Sequence, residues 1–232
     1  MALPKQTAPK YTCILPSDGR EIEYRPFLVK EQKVLLLAQE QEDDAAMFRA
    51  VQDLITNVCE DVKSETLPVI DMEWLFLKIR SKSVGETANI KLTCTDPKCD
   101  GTGEAVVNLD DVEVVGDQPE SKIMLNDEIG IELRYPRVSD VNQVQGKDQA
   151  TQTLEMLKNS IVKIFDEENV YPTADASTNE LNEFVEGLTM QQLEKITTYF
   201  DSIPSLQLDV ESKCTTCDRE LKTTAKGINS FF

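Results

Sequence analysis

The sequence predicts an α+β fold: helical segments around a β module of two cysteine-bearing hairpins, a split zinc-ribbon-like arrangement. Three observations point there. Two close cysteine pairs, Cys94/Cys99 and Cys214/Cys217, are each flanked by alternating apolar and polar residues, the pattern of strands. Amphipathic stretches at helical spacing fill much of the rest. Turn-forming clusters such as Pro16-Ser17-Asp18-Gly19 separate short alternating runs.

Tyr11–Leu15 and Arg20–Tyr24 alternate on either side of that turn and predict a hairpin. A helix is expected after Pro26-Phe27, with Leu28, Val34, Leu35, Leu37 and Ala38 on its apolar face. The acidic Glu40–Asp44 stretch turns the chain. Ala45–Val58 reads as a second helix, and Met72–Lys82 as a third in which Trp74 is expected as a core anchor. Strands follow at Ile90–Thr93 and Gly101–Leu109 around the first cysteine pair, then at Val112–Val115, Lys122–Leu125 and Ile129–Tyr135, where Pro136 stops the run. Helices are expected over Gln149–Phe165, Thr178–Glu186 and Thr189–Asp201, with a polar loop at Tyr171–Ala176. Leu206–Lys213 and Asp218–Thr224 flank the second cysteine pair. The whole, residues 1–232, reads as a single compact unit with sub-regions 10–88, 89–136, 137–204 and 205–232.

Composition narrows the function. The 232 residues carry 24 basic and 42 acidic side chains, a formal charge of −18. That balance argues against sequence-independent binding to nucleic acid or anionic membranes, both of which need a basic surface. No apolar run approaches the roughly 20 residues of a membrane helix, and Met1–Lys10 has no apolar stretch of the kind that marks a signal peptide. The expectation is a protein made and kept in a reducing compartment. There is no histidine, which removes histidine-based triads and every histidine-ligated metal site.

In a reducing compartment, two close cysteine pairs point to a metal before a disulfide. Cys94, Cys99, Cys214 and Cys217 are therefore the predicted ligands of a structural Zn²⁺, because two facing hairpins place four thiolates at the corners of a tetrahedron. With no open coordination position, such a site holds a fold together and does no chemistry. Two other readings are open. A redox role for Cys214/Cys217 requires the pair to open a helix after a strand, and strand-like sequence follows instead. Reduced, unliganded thiols are the plain alternative. Cys13 and Cys59 read as small buried hydrophobes.

The blocks Tyr24-Arg-Pro-Phe-Leu-Val-Lys-Glu-Gln-Lys-Val-Leu-Leu-Leu-Ala38 and Ile70-Asp-Met-Glu-Trp-Leu-Phe-Leu-Lys-Ile-Arg-Ser-Lys-Ser-Val-Gly-Glu86 resemble the small baseplate hub proteins of T-even-like contractile-tailed phages. The resemblance implies a non-enzymatic structural or assembly protein of the tail baseplate hub. Its partners would be other hub proteins or further copies of itself. It would be found in the host cytoplasm during assembly and, if retained, in the virion baseplate.

A zinc-ribbon nucleic-acid-binding or transcription module is the alternative, since four-cysteine sites are frequent there. It requires a basic hairpin. The first hairpin has two Lys against five acids between Lys91 and Asp111, whereas the second carries Lys213, Arg219, Lys222 and Lys226. An enzyme working through carboxylates or thiolates has no constellation to support it. Arg25-Pro-Phe-Leu28, the acidic surface and Phe231-Phe232 are conspicuous, but each has an equally good plain reading: a helix start, solubility, and a plug for the protein's own core.

Overall fold

The computed structural model describes residues 7–41 and 43–227. The chain forms two compact units: residues 1–64, 70–115 and 205–232 make the first, and residues 65–69 and 116–204 the second. The sub-region 137–204 lies in the second unit and 205–232 in the first, so the chain leaves the first unit and returns to it.

The first unit opens with β1 (Tyr11–Ile14) and β2 (Glu21–Tyr24), an antiparallel hairpin in register Tyr11↔Tyr24 to Ile14↔Glu21. Its turn closes through the Leu15 N–H to Arg20 carbonyl bond, 2.8 Å, and Gly19 at φ +73° supplies the left-handed residue the reversal needs. Three helices follow, α1 (Val29–Glu40), α2 (Asp44–Val58) and α3 (Val69–Ser83). Glu31 starts α1 by accepting the Leu28 N–H at 2.6 Å, and Asp43 caps α2 through the Ala45 N–H at 3.0 Å. Val51, Leu54, Ile55, Met72, Leu75, Phe76 and Ile79 are almost completely withdrawn from water. Each such burial stabilises by roughly 1.5–3 kcal/mol before entropy is set against it.

Two expectations need correction here. The buried residues of α1 are Glu31, Leu35 and Ala38, while Leu28, Val34 and Leu37 are about half exposed. A helix with apolar residues on most sides does not specify by periodicity which side packs, and here Glu31 is drawn in by its pairing with Arg25 at 3.0 Å. Trp74 is only half-buried. Its indole N–H donates to the Ile14 carbonyl at 3.0 Å, and the Lys78 ammonium lies 4.3 Å from the ring centre.

The β module of this unit comprises β3 (Thr87–Thr93), β4 (Thr102–Asn108) and β5 (Glu113–Val115) from the middle of the chain. After the second unit, β10 (Ser205–Lys213) and β11 (Glu220–Lys226) join it. β3 pairs with β4 from Thr87↔Asn108 to Thr93↔Thr102. β10 is the centre of a three-stranded sheet, with β11 on one side and β5 on the other.

The second unit holds β6 (Lys122–Met124), β7 (Gly130–Leu133), α4 (Val138–Val144), α5 (Gln149–Ser160), β8 (Ile161–Phe165), β9 (Val170–Pro172), α6 (Thr178–Glu186) and α7 (Met190–Ser202). The strands form an antiparallel sheet in chain order. Leu125, Ile131, Leu133, Leu157, Ile161, Val185, Ile196 and Tyr199 form its core. Reciprocal caps start the last two helices, Ser177 with Glu180 and Thr189 with Gln192.

The expected helix over Gln149–Phe165 stops at Ser160, and Ile161–Phe165 is a strand paired with β7. The β-branched Ile-Val-Lys-Ile run favours that pleated, half-buried position. Part of the expected loop Tyr171–Ala176 is likewise the end of β9. The Phe231-Phe232 end and most of the N-terminal arm, Met1–Gln6, lie outside the described residues.

Candidate metal centre

Both cysteine turns are built by short-range chemistry. In the first, Cys94 N–H donates to the Gly101 carbonyl at 2.9 Å and Cys99 N–H to the Asp96 carbonyl at 2.9 Å, while the Asp96 carboxylate accepts the Lys98 N–H. In the second, Cys214 N–H donates to Arg219 and Asp218 N–H back to Cys214, with Asp218 in the left-handed region at φ +55°. Asp tolerates that conformation better than most residues.

The two turns are joined across the module. Thr215 N–H and Oγ1 both donate to the Thr102 carbonyl, at 3.0 and 2.9 Å, and Ser212 Oγ donates to the Glu104 carbonyl at 2.7 Å. Such close approach of backbones needs small residues. A Cβ on Gly101 would lie 2.6 Å from Cys214 Sγ, and one on Gly103 would lie 2.7 Å from the Lys213 carbonyl oxygen. Both glycines are there for that contact.

The result brings the four predicted sulfurs together. All four Sγ atoms of Cys94, Cys99, Cys214 and Cys217 lie within 4.8 Å of one another. Cys94 to Cys217 and Cys99 to Cys214 are each 3.7 Å, pairing residues 123 and 115 positions apart. That is well beyond an S–S bond. It is close to the edge of about 3.8 Å that a tetrahedral ion with metal–sulfur bonds near 2.3 Å requires. Cys94 and Cys214 are buried, Cys99 is half-buried and Cys217 faces solvent.

The electrostatics of the cluster suit a cation. Backbone groups of Thr216 and Cys217 aimed at the Cys214 sulfur pull its thiol down to about 6. The Gly101 backbone acts the same way on Cys99, but burial and the adjacent sulfurs outweigh it and push that thiol up to about 12. The Asp96 backbone likewise lowers Cys94, and burial with Cys217 and Cys214 raises it overall. One thiolate forms readily and its neighbours then resist a second negative charge. A dication among the four sulfurs would reverse that resistance, because thiolates are its ligands.

Cys13 and Cys59 take no part in this cluster. Burial pushes their thiols up to about 11 and about 12 respectively; Cys59 is buried as expected, whereas Cys13 is only half-buried. The strand β11 follows Cys217, so the second pair does not open a helix as a redox pair would. Arg219 and Lys222 of the second hairpin are paired with Asp96 and Glu211, each at 2.7 Å.

A family model described as "T4 bacteriophage base plate protein" matches residues 8–232. The chain belongs to that family. No curated protein and no solved structure matches it.

This baseplate protein is thus a component of a phage tail whose neighbours are other baseplate proteins. Among its described residues, no helix is long and apolar enough to cross a membrane. The blocks that carry the resemblance fall on the end of β2 with α1, and on α3 with the residues that lead into β3. Arg25-Pro-Phe-Leu28 has its plain reading: Phe27 is buried, and Arg25 bonds Glu31 and the carbonyls of Pro26 and Asn57. Sequence reasoning missed Asp96 and Arg219 as parts of the module.

Proposed function

We propose that this baseplate protein is a non-enzymatic structural or assembly component of the baseplate hub, and that Cys94, Cys99, Cys214 and Cys217 hold a structural Zn²⁺ within it. The observation that carries the metal reading is the convergence of two hairpins so distant in sequence on one four-sulfur cage. A four-thiolate zinc site is closed, so the ion would contribute folding free energy and no chemistry. The hub role rests on the family match together with the Tyr24–Ala38 and Ile70–Glu86 blocks. Assembly in the host cytoplasm follows from that role.

Two measurements test this. Metal analysis of the purified chain should find one zinc per molecule, and Cys214→Ser/Cys217→Ser should lose it with a marked fall in thermal stability. Unchanged zinc content and unchanged unfolding in that variant reject the site. Quantitative mass spectrometry of mature particles and of hub assembly intermediates tests the role. Fixed stoichiometry in both makes the chain a hub subunit, presence in intermediates alone makes it an assembly factor, and absence from both rejects the hub.

A further inference from the structure

The four sulfurs face one another across the two turns. Cys94 Sγ lies opposite Cys217 Sγ and Cys99 Sγ opposite Cys214 Sγ, each at 3.7 Å. Cys217 is exposed and Cys99 half-buried, whereas Cys94 is 9% and Cys214 0% exposed. Each pair therefore sets a sulfur that solvent reaches against one that it does not. Closing 3.7 Å to the roughly 2.05 Å of a disulfide asks each sulfur to move about 0.8 Å.

We propose that, without metal, hydrogen peroxide oxidises this cage to two disulfides that join the turns, Cys94–Cys217 first and Cys99–Cys214 after it. Cys217, the sulfur within reach of a dissolved oxidant, starts the reaction. Its thiolate attacks one peroxide oxygen; the O–O bond breaks, the sulfur is oxidised to a sulfenic acid, and the departing hydroxide takes the thiol's proton and leaves as water. The Cys94 thiolate then attacks that sulfur. The S–S bond forms, the S–O bond breaks, and the hydroxide leaves with the Cys94 proton as a second water. A second peroxide repeats the sequence at Cys99, with the buried Cys214 as the resolving sulfur.

This pairing matters for the fold. Bonds between the turns link residues 123 and 115 positions apart, and they restrict the unfolded chain far more than a bond within either turn. The two hairpins stay fastened with the ion gone. A reducing cytoplasm keeps such thiols open, whereas a released phage particle meets oxidants. The reaction needs only the four sulfurs, so the inference goes beyond the zinc reading and does not rest on it.

The test treats the full-length chain, stripped of metal with chelator and reductant and then freed of both, with graded hydrogen peroxide. Alkylation, trypsin and mass spectrometry follow. Trypsin cuts after Lys91, Lys98, Lys213 and Arg219, so Cys94 and Cys99 fall on different peptides and Cys214 and Cys217 on one. The first cross-link should join Leu92–Lys98 to Cys214–Arg219 with Cys214 still alkylated, and Cys99 and Cys214 should then lose alkylation together. Cys94→Ser removes the resolving sulfur and should drive Cys217 to sulfinic acid. In the parent chain, joint loss of Cys214 and Cys217 without Cys94, sulfinic acid at Cys217, or covalent dimers ahead of the cross-link each overturn the proposal. A chain that takes up no zinc yet forms the cross-link supports this inference while rejecting the zinc site. A zinc-binding chain that forms bonds only within its turns rejects this inference alone.

Discussion

Arg219, just past the second cysteine turn, reaches Asp96 in the first, with its Nη2 2.7 Å from Oδ2. This ion pair ties together the same two turns as the sulfurs. Its Arg side chain is 48% exposed, so water and salt screen it and its contribution is at most about 1 kcal/mol. Arg219→Ala should therefore cost less than ~1 kcal/mol in denaturant unfolding and leave metal content unchanged. A loss of several kcal/mol would mean that the ion pair, and not the cage, fastens the hairpins.

The two glycines of the first hairpin should separate stability from metal binding. Gly103→Ala puts a Cβ 2.7 Å from a backbone carbonyl, which cannot yield without moving β10. Overpacking of that kind costs about 1–3 kcal/mol, measured as a lowered unfolding midpoint. Gly101→Ala instead meets Cys214 Sγ at 2.6 Å and Thr216 Cβ at 2.8 Å, so the second cysteine turn must move to admit it. Its expected signature is weakened zinc retention against a graded chelator.

Glu31 gives the first unit a dependence on acid. Burial pushes its carboxyl up, but hydrogen bonds from Arg25 and from the Leu28 N–H outweigh that and hold it below the ordinary range. A lowered folded value means that the group's stabilisation is fully present above about pH 4.3 and is lost as pH falls through the lowered value. Glu31→Gln should cost on the order of 1–2 kcal/mol near neutrality, and the difference from the parent should shrink as acid protonates Glu31. A constant difference from pH 7 to pH 3 would contradict this.

Asp71 behaves in the opposite sense. It is fully buried at the start of α3 and accepts both the N–H and the hydroxyl of Ser17 in the β1–β2 turn. Burial is the main cause that raises its carboxyl, against the opposing pull of those Ser17 bonds. A raised folded value means that stability from this group is greatest below about pH 3.9 and falls as pH rises through the raised value. Asp71→Asn should lose a hydrogen bond yet gain on the parent as pH climbs across the carboxylate range. Parallel stability–pH curves for the two proteins would refute it.

The local signals were legible in the sequence. Pro16-Ser17-Asp18-Gly19 specified the first hairpin, Thr189 with Gln192 marked a helix start, and the cysteine spacing picked out the four sulfurs that converge. Choices made by distant partners were hidden. Ile161–Phe165 continues a helical pattern until β7 offers it a ladder. Glu113–Val115 looks like the neighbour of the strands that follow it, yet it pairs with Ser205–Gln207. The buried side of α1 was ambiguous because Leu, Val and Ala occur nearly all round it, and the pairing of buried Glu31 with half-buried Arg25 settled what apolar counting could not.

The order of the chain also sets a clock. Val115 pairs with Ser205 in the β5–β10 ladder, and the whole stretch 116–204 is synthesised between them. Cys94 and Cys99 therefore leave the ribosome 123 and 115 residues before the sulfurs they face. At about 5–20 residues per second, the wait is roughly 6–24 s. Throughout that interval the first hairpin presents two thiols and an uncovered glycine face, while the inserted unit is free to fold first. Only a translation product that continues through Cys217 brings the four sulfurs together and closes the module.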